Sequence, residues 1–286
     1  MSLDPPDRSE NKDAPISAVV ITAGQSVHLA TTLASLAWCD EVLVLVSHDA
    51  DAVRRLPLPC RCRIATHPFD GYGRQKRRAV SMAAHDWVLS LDDDEWLDEA
   101  AIQAIQRQRL ATGSASYAFP RRTFIGNQEI KHGPWGGETV TRLFDRRRCV
   151  FADLAVHEAV RSPETPTLLP GSILHHSFAT CADVLARSIR YAQPKASIIQ
   201  EKQEPAHTWM LPLRGLAAFL KSYIFQAGYR DGAAGFTIAL SRVIDSTLPR
   251  ILVLSGHAVR DRPTQPANAI CHDNGNDSLD RSSRPQ

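Results

Sequence analysis

The chain has no long apolar run. Nowhere do about 18 uncharged apolar residues stand together, so a membrane-spanning helix is not expected. It has almost no net charge, +2 over 286 residues, which argues against a general nucleic-acid binder. Its six cysteines (Cys39, Cys60, Cys62, Cys149, Cys181 and Cys271) show neither zinc-ligand nor paired-disulfide spacing, as expected of reduced thiols in a cytosolic protein. No apolar segment follows Met1 within the first 14 residues, so no secretory signal is expected. No G-x-G-x-x-G follows Ile21, which disfavours a dinucleotide-binding oxidoreductase. Ala23-Gly24-Gln25 is a poor phosphate loop, which disfavours a nucleotidyltransferase. Internal repeats are also missing.

What is present is an ordinary globular composition, 43% hydrophobic and 22% charged, with ample apolar material for a core. Residues 1–14 and 262–286 are polar and expected to be disordered. Between them strand and helix patterns alternate. Strands are predicted at Ile16–Ile21, Glu41–Val46, Arg61–Thr66 and Trp87–Leu91. Helices are predicted after Ser26, as N-cap, with Leu29, Leu33 and Leu36 buried, then at Asp49–Leu56, at Gly73–Ala84, and from Asp98 to about Leu110. Repeated βα units at this spacing imply a doubly wound, mostly parallel α/β sheet over residues 15–178. Further short strands are expected at Tyr117–Arg122, Thr139–Phe144, Cys149–Ala152 and Ser172–His176. Residues 179–261 are expected to form a C-terminal helical extension, with helices near 180–201, 208–228 and 233–247. The broad apolar stripe in Leu211–Gly228, flanked by Arg214, Lys221 and Arg230, suits either packing on the sheet domain or lying on a membrane surface.

The most informative stretch is Val88-Leu89-Ser90-Leu91-Asp92-Asp93-Asp94-Glu95, a buried-looking strand running into four carboxylates. In open α/β sheets ligands bind beyond the carboxyl ends of such strands. Packed carboxylates repel, and a hard divalent cation, Mg²⁺ or Mn²⁺, would hold them and grip phosphate oxygens. Asp92 and Asp94, two apart on extended backbone, point to one side. The alternative is an acidic turn that caps the following helix.

Several segments together resemble glycosyltransferase family 2, with the GT-A nucleotide-sugar-binding fold, and more narrowly the bacterial glucosyltransferases that modify the lipopolysaccharide inner core by β-1,4 linkage. They are Ile16–Thr22, Trp38-Cys39-Asp40-Glu41-Val42-Leu43-Val44, Gly71-Tyr72-Gly73-Arg74-Gln75-Lys76, Asp86–Glu95, Lys131-His132-Gly133-Pro134-Trp135, Thr141-Arg142-Leu143-Phe144, Val156-His157-Glu158, Leu174–Phe178 and Gly228–Phe236. They occur in register over about residues 15–250. The resemblance implies an inverting, metal-dependent enzyme. It would move a hexose, glucose from UDP-glucose, onto a lipid-linked saccharide at the cytoplasmic face of the inner membrane, to which it would be peripherally bound.

The resemblance also implies roles. Asp92 and Asp94 would bind the metal, with His175 or His157 as a further ligand. Thr22, Asp49, Asp51, Lys76, Asp92, Asp93 and Arg142 would contact the donor. Glu158, with Asp153 second, would be the base that takes the acceptor hydroxyl's proton. His132 and Trp135 would bind the acceptor. The basic residues Arg74, Lys76, Arg77 and Arg78, with Arg121-Arg122 and Arg146-Arg147-Arg148, would form a rim for anionic groups or a solvated face. Two departures bear on the donor. Thr22 leads into Ala23-Gly24-Gln25 where the family has Asn-Glu, and Val46 stands where the second strand usually ends in Asp. These departures keep a non-catalytic saccharide- or partner-binding relative as the alternative.

Overall fold

The computed structural model of the chain describes residues 14–151 and 160–256. The order is β1 (Ile16–Thr22), α1 (Leu29–Ser35), β2 (Glu41–Val46), α2 (Ala50–Arg54), β3 (Cys62–Thr66), α3 (Tyr72–Met82), β4 (Trp87–Asp92), β5 (Glu95–Leu97), α4 (Glu99–Gln106), β6 (Ser116–Ile125), β7 (Gln128–Ile130), β8 (Glu138–Asp145), β9 (Val150–Phe151), β10 (Val160–Arg161), β11 (Thr167–Leu168), β12 (Ile173–Phe178), α5 (Cys181–Glu201), α6 (Met210–Leu220) and α7 (Gly232–Leu254). The main sheet runs β3-β2-β1-β4-β8-β6-β12-β5. Its first four strands are parallel, whereas β8 pairs antiparallel with both β4 and β6, and β5 antiparallel with β12.

The alternation of side chains along β1 explains why the sheet is covered on both faces. Ile16, Ala18 and Val20 share one buried cluster with Leu29, Leu33 and Leu36 of the α1 segment. Val19 faces the opposite cluster, with Ala79 and Ala83 from the α3 side and Phe144 from β8. The C-terminal helices dock on the far end of the sheet, where Val184, Ala234 and Ile238 join Ile125, Ile130 and Phe178. α5 opens with a capping box, Thr180 and Asp183 bonding each other's backbone N–H.

Three local expectations are corrected. Ser26 is not the N-cap of α1. His28 occupies that position, and the Ser26 hydroxyl donates instead to the Asp93 carbonyl at 2.9 Å. The helix after Asp98 stops at Gln106, not Leu110. The segment 208–228 is not one helix: α6 ends at Leu220, gives way to a wide turn at Lys221–Phe225, and is followed by a short 3-10 turn at Gly228–Asp231. Gly228 is required there, because a Cβ on it would lie 2.7 Å from the Ser222 carbonyl oxygen. The short strands β5, β7, β10 and β11 also went unpredicted.

Candidate active site

The chain winds from β1 outward to β3 and then returns to the other side of β1 as β4. This reversal makes a switch point between the ends of β1 and β4, where a crevice forms because the two connections leave in opposite directions. Thr22 ends β1 and Asp92 ends β4. The Thr22 hydroxyl closes the gap between them by donating to Asp93 Oδ2 at 2.6 Å. Gly24, with φ at +95°, lets the loop after β1 press onto the loop after β2. A Cβ at Gly24 would lie 2.2 Å from the Asp49 carbonyl oxygen.

The four carboxylates that follow β4 have distinct surroundings. Asp92 is held by two cations, Lys76 Nζ at 2.7 Å from Oδ1 and an Arg142 guanidinium nitrogen at 2.8 Å from Oδ2. Burial alone would raise its carboxyl, but these charges outweigh burial and hold it well below the usual range. Asp93 is pushed up to about 7, by burial first and then by the charges of Asp94 and Asp92, against the Thr22 hydrogen bond. Asp94 faces His175 Nε2 at 3.6 Å. Burial works against ionisation, but the adjacent polar ring of His175 and its charge hold the Asp94 carboxyl below the usual range. Glu95 is fully buried and takes Arg142 and Arg121 as partners, while its Oε2 accepts the Asp92 N–H at 3.3 Å.

Sequence reasoning gave Glu95 no role. It was legible only as the fourth acid of the run, since its orientation depends on β5 pairing antiparallel with β12. Gln75 was also missed. It is buried and donates from Nε2 to the His67 and Pro68 carbonyls at 3.1 and 3.3 Å, while its Oε1 has no hydrogen-bond partner among the described residues. Gln75 lines a small open depression beside Thr22, Ala23, Ser47 and Asp93, with Phe69 and Tyr72 at its rim. Those two rings meet edge to face at 4.9 Å. A third unpredicted feature is a stack in which His176 lies between Phe124 (4.4 Å) and Trp96 (4.6 Å), with His28 at 5.3 Å. Burial lowers both His28 and His176 below the usual imidazole value.

The structure therefore gathers Thr22, Lys76, Asp92, Asp93, Asp94, Arg142 and His175, predicted from separate segments. Lys76 and Arg142 turn inward onto Asp92. Asp49 spends its carboxylate on the Ala52 N–H as the cap of α2, and Asp51 is exposed and paired with Arg54. His132 and Trp135 sit together against the C-terminal helices. The buried Asp231 carboxylate accepts the His132 N–H at 2.8 Å and lies 2.9 Å from its Nδ1, and Trp135 stacks on Phe178. Asp153, His157 and Glu158 lie outside the described residues. The arginine rim is largely neutralised: Arg78 pairs with Asp70, Arg121 with Glu95 and Glu138, Arg122 with Glu129, Arg146 and Arg147 with Asp86, and Arg148 with Glu164.

Among the described residues no three His, Cys, Asp or Glu side chains come together as a cation cage. Asp94 and His175 supply two such groups. Mg²⁺ commonly takes only one or two carboxylates and completes its shell with phosphate and water, so a phosphate-bridged cation does not require three protein ligands.

No family model matches the chain. It is similar to curated proteins named as glycosyltransferases. The lipopolysaccharide core biosynthesis glycosyltransferase LpsC of Rhizobium meliloti is 25% identical over 264 residues, covering 87% of this chain and 95% of that protein. Uncharacterized glycosyltransferases of Rickettsia prowazekii and Rickettsia bellii are 24% and 29% identical, covering 91% and 77% of this chain and 91% and 80% of their own. Among solved structures, S. aureus TarS covers 85% of this chain and 92% of its own at 12% identity and a TM-score of 0.39. Glucosyl-3-phosphoglycerate synthase of Mycobacterium tuberculosis, solved with Mn²⁺ and UDP, covers 39% and 44% at 18% identity and a TM-score of 0.32. Both structural similarities are too low to bear on the site.

Proposed function

We propose that the chain is an inverting, divalent-metal-dependent glycosyltransferase of the family 2 type. Its donor is a nucleotide sugar, UDP-glucose, and its acceptor a lipid-linked saccharide such as the lipopolysaccharide inner core, reached from the cytoplasmic face of the inner membrane. The observation that carries this reading is the acidic cluster at the β1–β4 switch point, directly beside the depression rimmed by Phe69 and Tyr72. The similarity to LpsC along most of both chains supports the acceptor class.

Each part of a nucleoside diphosphate sugar has a matching group. Tyr72 and Phe69 offer ring surface to a base. Gln75 lines the depression beside them, and a turn of its side chain that exposed the buried, unpartnered Oε1 would let it accept an imide N–H such as that of uracil. Such a contact would stand in for the polar group that Val46 lacks. Asp94 and His175 would hold the cation, whose Lewis acidity would stabilise the departing diphosphate. Lys76 and Arg142 fix Asp92 and offset part of the negative charge of the cluster. His132, oriented by Asp231, and Trp135 would meet the acceptor, with Glu158, or Asp153 in its stead, removing the hydroxyl proton.

The test is calorimetric titration of the purified protein with UDP, GDP and their glucose conjugates, with and without Mn²⁺. Metal-dependent binding of the uridine compounds is expected. A non-catalytic binding protein is the second reading, favoured by the engagement of both Asp92 oxygens and by Val46. Absence of binding to every nucleotide would decide for it.

A further inference from the structure

We infer that α6 and the turn that follows form a docking face for an anionic lipid surface, and that this face is hydrogen-bonded directly to the His132–Trp135 loop. The lipid face stands independently of the proposed glycosyl transfer; the orientation of that loop toward an acceptor rests on it.

At about 100° per residue, Trp209, Leu213, Leu216 and Leu220 fall within about 60° of arc, roughly 130° from Gly215. Gly215 is the buried contact of α6, against Val243 and Thr247 of α7. The apolar stripe therefore points away from the protein. Together with Ile224, Phe225 and Tyr229 its residues are between 37% and 81% exposed, which makes this segment the densest group of exposed large apolar side chains among the described residues. Single exposed apolar residues are ordinary on soluble proteins, but a contiguous stripe marks an interaction surface.

Charge selects the partner. From Pro205 to Arg230 there is no Asp or Glu, whereas Arg214, Lys221 and Arg230 are present. Arg214 and Lys221 lie within about 20° of each other on one flank of the stripe. An apolar face with a cationic flank fits the headgroup boundary of an anionic bilayer. Trp209 and Tyr229 stand at the two ends, where amphipathic rings favour an interface. No helix among the described residues is long and apolar enough to cross a membrane, so the segment would lie on the surface.

The turn links this face to the site. The Gly133 N–H donates to the Gln226 carbonyl at 2.8 Å, and Asp231 holds His132 through both its backbone and its ring. Seating α6 on a lipid surface would thus set the orientation of the loop proposed to meet a lipid-linked saccharide.

The experiment is sedimentation of the full chain with phosphatidylcholine vesicles, with and without phosphatidylglycerol, alongside sedimentation velocity. Binding to the phosphatidylglycerol vesicles is expected, and it should weaken as salt rises. Leu213→Asp with Leu216→Asp should abolish it without changing the melting temperature, since both side chains are exposed. Arg214→Ala with Lys221→Ala should lower the partition roughly 30-fold, from about 1 kcal/mol per basic residue. Equal binding by the wild type and both double variants would overturn the inference, as would no binding to the anionic vesicles. A concentration-dependent dimer dissociated by Leu213→Asp would assign the face to a second copy and overturn it too. Nucleotide titration of the same samples separates the two claims. Vesicle binding without nucleotide binding leaves the lipid face standing and removes the transferase.

Discussion

Replacing Glu95 with Gln tests whether the buried ion network holds the site together. Glu95 is inaccessible to solvent, and its carboxylate serves Arg142, Arg121 and the Asp92 N–H at once. Gln keeps the shape and one acceptor oxygen, so no cavity opens and only the charge is lost. Removing one partner of a buried pair costs about 3–5 kcal/mol when the remaining charge is left alone. Here Arg142 retains Asp92 and Arg121 retains Glu138. The expected loss is therefore smaller, about 2–3 kcal/mol, the scale of hydrogen bonds to charged groups. For a chain of this size each kcal/mol moves Tm by about 2–4 °C, so calorimetry in metal-free buffer should show a drop of roughly 4–12 °C. A double-mutant cycle with Arg142→Met should return a coupling of about 1 kcal/mol or more. A Glu95→Gln loss below about 0.5 kcal/mol, the range of ordinary surface changes, would refute the network's structural role.

Asp94→Ala should abolish Mn²⁺-dependent nucleotide binding and turnover while leaving circular dichroism unchanged; retained metal-dependent binding would remove Asp94 from the cation site. For Asp93, raised to about 7 in the folded protein, the ionised form is penalised, so the penalty is absent at low pH, grows as pH rises from about 4 to about 7, and is constant above. In metal-free buffer the stability of Asp93→Asn relative to wild type should rise over that window by up to about 4 kcal/mol, and a flat difference would refute the assigned environment. Gly24→Ala should cost about 2 kcal/mol or more, because it combines a positive φ with a Cβ 2.2 Å from the Asp49 carbonyl oxygen; an unchanged urea midpoint would show that the two loops can part.

Local sequence determined much of the first half. Val42–Val46 and Val88–Leu91 are near-continuous apolar runs, and only a strand covered on both faces buries such a run completely, as both do. Leu29, Leu33 and Leu36 fell at helical spacing and are all buried. The acidic run after β4 was equally legible, because an abrupt change from apolar to carboxylate is a property of adjacent residues.

Tertiary structure alone decided what each acid does. Asp92, Asp93, Asp94 and Glu95 look alike in sequence, yet they face respectively two cations, a threonine hydroxyl, an imidazole and two arginines. Those partners come from β1, α3, β6, β8 and β12, up to 81 residues away along the chain. The arginine runs read as a basic rim because sequence shows charge but not the carboxylate opposite, and folding set Asp70, Asp86, Glu129, Glu138 and Glu164 against them. The amphipathic stripe of α6 was visible from its spacing. That its apolar side faces outward followed only from α7 taking the Gly215 side, where close backbone approach leaves no room for the larger residues.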